Sequence, residues 1–271
     1  MGHIESFSLS LSPLSRSLRT IWIYLPDDYA DSVQSYPVLY MFDGHNLFHD
    51  ALATYGRSWR LGHYLDQYHI PLLVIGMDCN HIGDGRLEEY CPVSLAPHSR
   101  IDGLYDTSRL HPCGKQMAQW MIEVLMPYCT AHYRIKKTRE DTAVGGSSMG
   151  GLMALYMSIC HRAYFSKAAC LSPTLDIAAD QLLENIRKAS PAIESRIFLS
   201  CGEKEYSSKR ALSKQLIRLL SIHNALLEKK AAPFLYLQPK GKHDEASWER
   251  QIPIFLKTMW PSIKSAYPQK V

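Results

Sequence analysis

The stretch that decides the fold is Thr142-Ala143-Val144-Gly145-Gly146-Ser147-Ser148-Met149-Gly150-Gly151-Leu152-Met153-Ala154-Leu155-Tyr156. A short apolar run, Thr142–Val144, leads into Gly146-Ser147-Ser148-Met149-Gly150, and a helix-forming run begins at Gly151. The pentapeptide fits G-x-S-x-G with Ser148 at its centre. Its setting of strand, turn and helix is the one a nucleophile elbow requires. In so tight a turn, a side chain at Gly146 or Gly150 would collide with neighbouring backbone. Ser148 is then expected in a strained conformation, its hydroxyl exposed at the C-terminal edge of a sheet. The helix behind it would aim its first N–H groups at a developing oxyanion. A bare G-x-S-x-G also arises by chance as a turn closing a helix, and it is the flanking pattern that favours chemistry here.

Outward from this stretch, strand-like and helix-like segments alternate. Arg19–Leu25, Val38–Phe42, Leu72–Met77, Lys167–Leu171, Ile197–Cys201 and Phe234–Leu237 are short apolar runs bounded by turn residues. Runs that do not alternate with polar residues suit strands buried on both faces of a parallel sheet. Between them, Trp59–Tyr68, Gln116–Tyr128, Met149–Cys160, Ala178–Lys188, Leu212–Leu227 and Ala246–Met259 carry helical periodicity. The alternation predicts an α/β fold with a mainly parallel sheet flanked by helices. With no repeat or linker to mark a boundary, residues 1–271 read as one domain. Residues 80–113 are the least regular stretch and are expected to form a loop or cap insertion at the substrate rim.

Composition excludes several classes. The 271 residues are 46% hydrophobic and 21% charged, which rules out a disordered, collagen-like or coiled-coil chain. A formal net charge of +4 without a dense basic stripe argues against nucleic acid. The apolar runs are far too short for a membrane span, and the N-terminus makes a poor signal peptide. Seven cysteines, with no C-x-x-C pair, point to buried thiols in a reducing compartment and so to the cytoplasm.

A serine hydroxyl needs a base, and the base needs an orienting acid, in the chain order Ser, Asp/Glu, His. Past the strand Ile197–Cys201 and the Gly202 turn stands Glu205, the expected acid, with Glu203 and Asp176 as alternatives. Only His223 and His243 follow. His223 falls within an amphipathic run, whereas His243 lies in a loop after the last strand and is the expected base. Two N–H donors are needed for the oxyanion. Met149 supplies one and the loop Asp43-Gly44-His45-Asn46 the other, from Gly44 or His45. Asn46 and Arg86 are expected to line the substrate. For Arg86, an ion pair with a glutamate three residues away that fixes the loop is the plainer reading. Neither cofactor nor metal is expected: His45 and His49 are four residues apart, but no H-E-x-x-H accompanies them.

The chain also resembles a known family. Tyr36–Phe48 (YPVLYMFDGHNLF) is similar to a signature block of the "putative esterase" family, which groups S-formylglutathione hydrolase with enterochelin, feruloyl and acetyl-carbohydrate esterases. Arg86–Tyr90 with Pro92, Gly146–Leu152, Gly202–Tyr206 and His243–Trp248 resemble its remaining blocks, in order. The chain departs from the pattern at Cys129, where relatives tend to carry an acid, and at His45, where many carry Gln and where the imidazole is expected to line the pocket. The resemblance implies an α/β-hydrolase fold, ester hydrolysis, and catalytic roles for Ser148, Glu205 and His243. The expected function is a serine carboxylesterase acting on a small-molecule ester or thioester. The alternatives are an acyltransferase using the same triad and a catalytically silent binding protein. A homo-oligomer is left open.

Overall fold

In the computed structural model, which describes residues 1–101, 105–189 and 194–262, eight strands form one sheet. They are β1 (His3–Ser10), β2 (Leu18–Leu25), β3 (Val38–Phe42), β4 (Leu73–Met77), β7 (Thr142–Ser147), β8 (Lys167–Leu171), β9 (Arg196–Gly202) and β10 (Ala232–Gln238), in the order β1-β2-β4-β3-β7-β8-β9-β10. The two-residue strands β5 (Arg100–Ile101) and β6 (Tyr105–Asp106) pair apart from it. From β4 through β3, β7, β8 and β9 to β10 every pairing is parallel, and only β2 runs against its neighbours. The mainly parallel sheet is therefore as predicted, and the fold is that of the α/β-hydrolases.

The helices are α1 (Leu61–Gln67), α2 (Gly85–Glu89), α3 (Gly114–Trp120), α4 (Met126–His132), α5 (Met149–Cys160), α6 (Ala179–Lys188), α7 (Lys209–Glu228), α8 (Glu245–Glu249) and α9 (Ile252–Met259). A π turn, Met121–Leu125, joins α3 to α4. Strand residues alternate between two cores. Val38, Tyr40 and Phe42 of β3 and Leu73, Ile75 and Met77 of β4 pack with α3–α7. Leu39, Met41 and Val74 point the other way, toward α1, Trp248 and α9. Both faces are thus covered, which is why these strands read as continuous apolar runs. Full burial of each large side chain contributes roughly 1.5–3 kcal/mol.

Three segments differ from the sequence expectation. Strand β1 was not anticipated: it is an edge strand whose half-buried Ile4, Phe7 and Leu9 are separated by serines and a glutamate, too diluted to stand out. The helix expected over Ala246–Met259 is two helices, broken at Arg250-Gln251, because Pro253 fits only the first turn of a helix. Residues 80–113 are less irregular than expected: α2 lies within them, and Tyr90, Cys91 and Val93 are buried in the main core. Residues 102–104 lie outside the described residues.

The chain visits β3, then β4 on one side, then β7 on the other. In parallel sheets such a reversal opens a crevice at the C-terminal strand ends, where ligands bind. The loops after β3 and β7 carry Gly44 and Ser148.

Candidate active site

Ser148 joins β7 to α5 with φ 58° and ψ −122°, a conformation non-glycine residues rarely adopt and one that costs about 1–3 kcal/mol. The turn is as tight as the sequence predicts at Gly146, where a Cβ would lie 2.7 Å from the backbone carbon of Gly150. At Gly150 the obstacle is instead the Phe42 side chain, 3.0 Å from a would-be Cβ. The turn is pinned from β8: the Ser148 N–H donates to the Leu171 carbonyl at 3.0 Å, and the Thr174 N–H donates to the Ser148 carbonyl at 3.2 Å. Thr174 also places Oγ1 3.4 Å from Ser148 Oγ. Among the described residues it is Thr174, rather than His243, that hydrogen-bonds the Ser148 hydroxyl.

Glu205 and His243 come together across the ends of β9 and β10. His243 Nδ1 lies 3.4 Å from Glu205 Oε2. The glutamate side chain is only 2% exposed and the histidine 39%, so an almost fully dry carboxylate faces a ring open to substrate. Glu205 Oε1 accepts from Ser172 Oγ and from the Gly202 N–H, each at 2.5 Å. Ser172 in turn accepts from Trp248 Nε1 at 3.0 Å, and the Trp248 ring stands edge-on to His243 at 5.1 Å. The carboxylate is held by fixed donors, and the imidazole is positioned by that carboxylate and an indole. The other acids and the other histidine lie elsewhere. Glu203 accepts from the Lys240 N–H, Asp176 sits 3.4 Å from Arg218, and half-buried His223 contacts Asn224 on α7.

The loop after β3 begins with Asp43 in the left-handed region (φ 58°, ψ 51°), which aspartate tolerates better than most residues. Gly44 is packed so closely on β4 that a Cβ would lie 2.5 Å from the backbone of Gly76. Among the described residues, turn and cap hydrogen bonds engage the amides of Asn46, Leu47 and Leu152 but not those of Gly44, His45 and Met149. These three N–H groups stay free to serve an oxyanion.

Arg86 is placed differently from the sequence expectation. Its Nε and Nη2 each lie 2.7 Å from one oxygen of the buried Asp43 carboxylate, a bidentate pair. The guanidinium also sits 5.4 Å from the Tyr90 ring centre, and Tyr90 Oη accepts from the Asp43 N–H at 3.2 Å. So Arg86 does fix a loop, but the loop after β3, with Nε and Nη2 committed to Asp43. The nearby Glu89 pairs with Arg19 instead, at 2.5 Å. His45 and Asn46 also face inward. The His45 ring is 8% exposed, between Thr54 and Asp78, and Asn46 Oδ1 accepts from the Thr54 N–H at 2.9 Å. The expectation that the His45 imidazole lines the pocket is therefore corrected.

Sequence reasoning missed Ser172, Thr174, Asp43, Tyr90 and the role of Trp248. Ser172-Pro173-Thr174 follows β8 at the same sheet edge, and that position was the available signal.

The profile of the protein family described as "Putative esterase" matches residues 15–259. A protein of Bacillus subtilis (strain 168), the uncharacterized protein YbbA, is 23% identical over 224 residues, 81% of this chain and 82% of its own. Among solved structures, an IroE-like serine hydrolase from Shewanella oneidensis superposes with a TM-score of 0.74 at 19% identity, over 94% of this chain and 79% of that one. A ferulic acid esterase gives 0.66 at 15% identity, over 96% of this chain and 97% of that one. Those two likenesses speak for the fold. The family match speaks for the chemistry, and by it the chain belongs to the "Putative esterase" family and is an enzyme of the ester-hydrolysing class.

Proposed function

We propose that the protein is a serine carboxylesterase working through an acyl-enzyme on Ser148. The observation that carries this reading is the strained Ser148 turn at the mouth of α5, on the same sheet edge as the Glu205–His243 pair. His243 presents Nδ1 to Glu205, which leaves Nε2 to take the Ser148 proton. For attack, the hydroxyl turns from Thr174 to His243, a tightening expected when substrate binds. Ser148 Oγ bonds to the ester carbonyl carbon, and the Met149 N–H with Gly44 or His45 N–H holds the resulting oxyanion. His243 returns its proton to the leaving alcohol or thiol as that bond breaks. Water then repeats the sequence on the acyl-enzyme and releases the acid.

A cleft of about 470 Å³ opens beside the acid loop; none of Ser148, Glu205 and His243 lines it, so it would take a part of the substrate away from the scissile bond. Asp176 and Tyr206 line it, close in sequence to Thr174 and Glu205, together with Arg100, Arg210, Lys214 and Arg218. Four cations against one carboxylate favour an ester carrying negative charge on its acyl or alcohol part. A fluorophosphonate probe should label Ser148, located by peptide mass spectrometry. A panel of p-nitrophenyl, feruloyl, acetyl-sugar and S-acyl esters, in neutral and anionic versions, should give higher kcat/KM for the anionic member of each pair. Absence of labelling at Ser148 refutes the nucleophile. Equal kcat/KM across the pairs refutes the charge preference while leaving the nucleophile untouched.

A further inference from the structure

Behind the loop after β3, four side chains able to ligate a metal converge from the ends of two adjacent strands. They are His45 from that loop and Asp78, Cys79 and His81 from the loop after β4, with ligand atoms all within 4.8 Å of one another. No linear spacing reveals this group, because His45 stands 33 residues before Asp78 and meets it only through the parallel β3–β4 pairing. The neighbouring His49 takes no part: its ring lies edge-on to Trp22 at 6.2 Å.

Hydrogen bonding at His45 leaves one ring nitrogen without a partner. Its Nε2 lies 2.9 Å from Thr54 Oγ1, a hydrogen bond that settles the ring when Nε2 carries the proton. Nδ1 is then a bare lone pair, buried and without a hydrogen-bond partner. Yet Asp78 Oδ1 sits only 2.6 Å from it, near enough to touch but out of line for an N–H···O bond. Two acceptor atoms facing each other at that distance repel unless they share a proton or a metal cation, and the contact is out of line for the proton. Asp78 Oδ1 is also 3.0 Å from His81 Nε2, and Cys79 Sγ is 3.9 Å from His81 Nδ1. A tetrahedral ion with bonds of 2.0–2.3 Å holds its ligand atoms roughly 3.3–3.8 Å apart; one ligand atom from each of the four residues lies within 4.8 Å of the others, so small side-chain rotations, with His81 turning one ring nitrogen inward, would bring them to that spacing. His45 and Cys79 are buried, whereas the His81 side chain is 58% exposed and gives the ion its way in. The Thr54 contact is the outer hydrogen bond that a metal-binding imidazole ordinarily makes.

We propose that His45, Asp78, Cys79 and His81 form a binding site for one divalent cation of the zinc type. Two imidazoles, a thiolate and a carboxylate make a closed donor set of four, as in structural rather than catalytic zinc sites. The ion would tie the loop bearing Gly44 and His45 to the end of β4 without entering the ester chemistry.

The test is metal loading, and it does not depend on turnover. Protein dialysed against a chelator and titrated with Co²⁺ should take up about one equivalent and show a thiolate-to-cobalt charge-transfer band. Zn²⁺ should displace it and raise the thermal midpoint. Cys79→Ser should abolish the band. His81→Ala, at an exposed position that spares the fold, should weaken Co²⁺ binding by at least the roughly 10–100-fold that outer-shell changes cost such sites. His223→Ala, remote from the cluster, should leave uptake unchanged. Failure of the parent protein to bind Co²⁺ at micromolar concentration overturns the site. So does a charge-transfer band that survives in Cys79→Ser, which would assign the metal to another thiol. Either result leaves the assignment of Ser148 as it was.

Discussion

The two halves of the sheet edge are built on opposite plans. On the β3–β4 side the loop after β3 is clamped. Asp43 is clamped by Arg86 through two contacts of 2.7 Å, and Gly44 lies against the backbone of β4. On the β7–β10 side the proposed nucleophile and base are held loosely. Ser148 has one long contact of 3.4 Å, and His243 is tethered at 3.4 Å with its ring 39% exposed. The difference follows from the work each half does. Donors that stabilise a developing charge help most when they need no reorganisation. A nucleophile and a base must exchange a proton and change partners within each turnover. The loose side should therefore be sensitive to chemistry and the tight side to shape.

Ser148→Ala tests the loose side most harshly. With the covalent step gone, kcat should fall by roughly 10⁴–10⁶, leaving only binding and the oxyanion hole. Circular dichroism should be unchanged and fluorophosphonate labelling lost. Activity within tenfold of the parent would show that the nucleophile is elsewhere, with Ser147 the first candidate. His243→Ala should approach the same loss. Glu205→Gln should cost less, about 10⁴ in kcat, because an amide keeps the shape but neither stabilises the imidazolium nor fixes its tautomer. The amide oxygen can still accept from the Ser172 hydroxyl and the Gly202 N–H, which both donate to Oε1, and its NH₂ then replaces the carboxylate oxygen that faces His243 Nδ1. A crippled Glu203→Gln beside a silent Glu205→Gln would move the acid by two residues.

Gly44→Ala probes the tight side. The added Cβ would lie 2.5 Å from the carbonyl carbon and oxygen of Gly76, so backbone must move against backbone. Displacing one oxyanion donor should lower kcat by about 10²–10³ while KM changes little. A variant that turns over normally would remove the loop after β3 from the oxyanion hole. A crystal structure of a phosphonate adduct on Ser148 gives the same answer directly: the phosphonyl oxygen should lie within hydrogen-bond range of the Met149 N–H and of one amide from Gly44 or His45.

What the sequence discloses divides along the same line. The proposed nucleophile, acid and base and the strands before them are legible because each rests on a local pattern. Ser148 lies in a strand-turn-helix, Glu205 just past a strand and a glycine, and His243 in the loop before the last helices. The clamp is not legible. Arg86 meets Asp43 across 43 positions, and the glutamates near it in sequence suggest a partner it does not have. His45 was misdirected for a similar reason: its loop position predicts a side chain in the pocket, while Asp78, 33 residues later, draws it inward. Strand β1 escaped because an edge strand with serines at alternate positions lacks the apolar density that marks the buried strands.

The smallest of these effects belongs to the clamp itself. Arg86→Gln removes the charge that compensates a buried carboxylate. Breaking a wholly buried ion pair costs about 3–5 kcal/mol, but the Arg86 side chain is 30% exposed, and solvent screening reduces this to roughly 1–2 kcal/mol. The catalytic consequence is indirect. Asp43 holds its left-handed conformation partly through the bidentate pair, and when that relaxes the adjacent Gly44 and His45 amides lose their aim. On a neutral p-nitrophenyl ester, kcat should drop on the order of tenfold, less than for outright displacement of the donor, with KM nearly constant. Arg86→Lys keeps the charge but offers no planar fork, so it should fall between the parent and Arg86→Gln in both stability and kcat. Were Arg86 instead a substrate contact, KM would rise, and would rise more for anionic esters than for neutral ones. Steady-state kinetics on a matched neutral and anionic pair, measured beside urea unfolding of the same variants, tells a positioning role from a binding one.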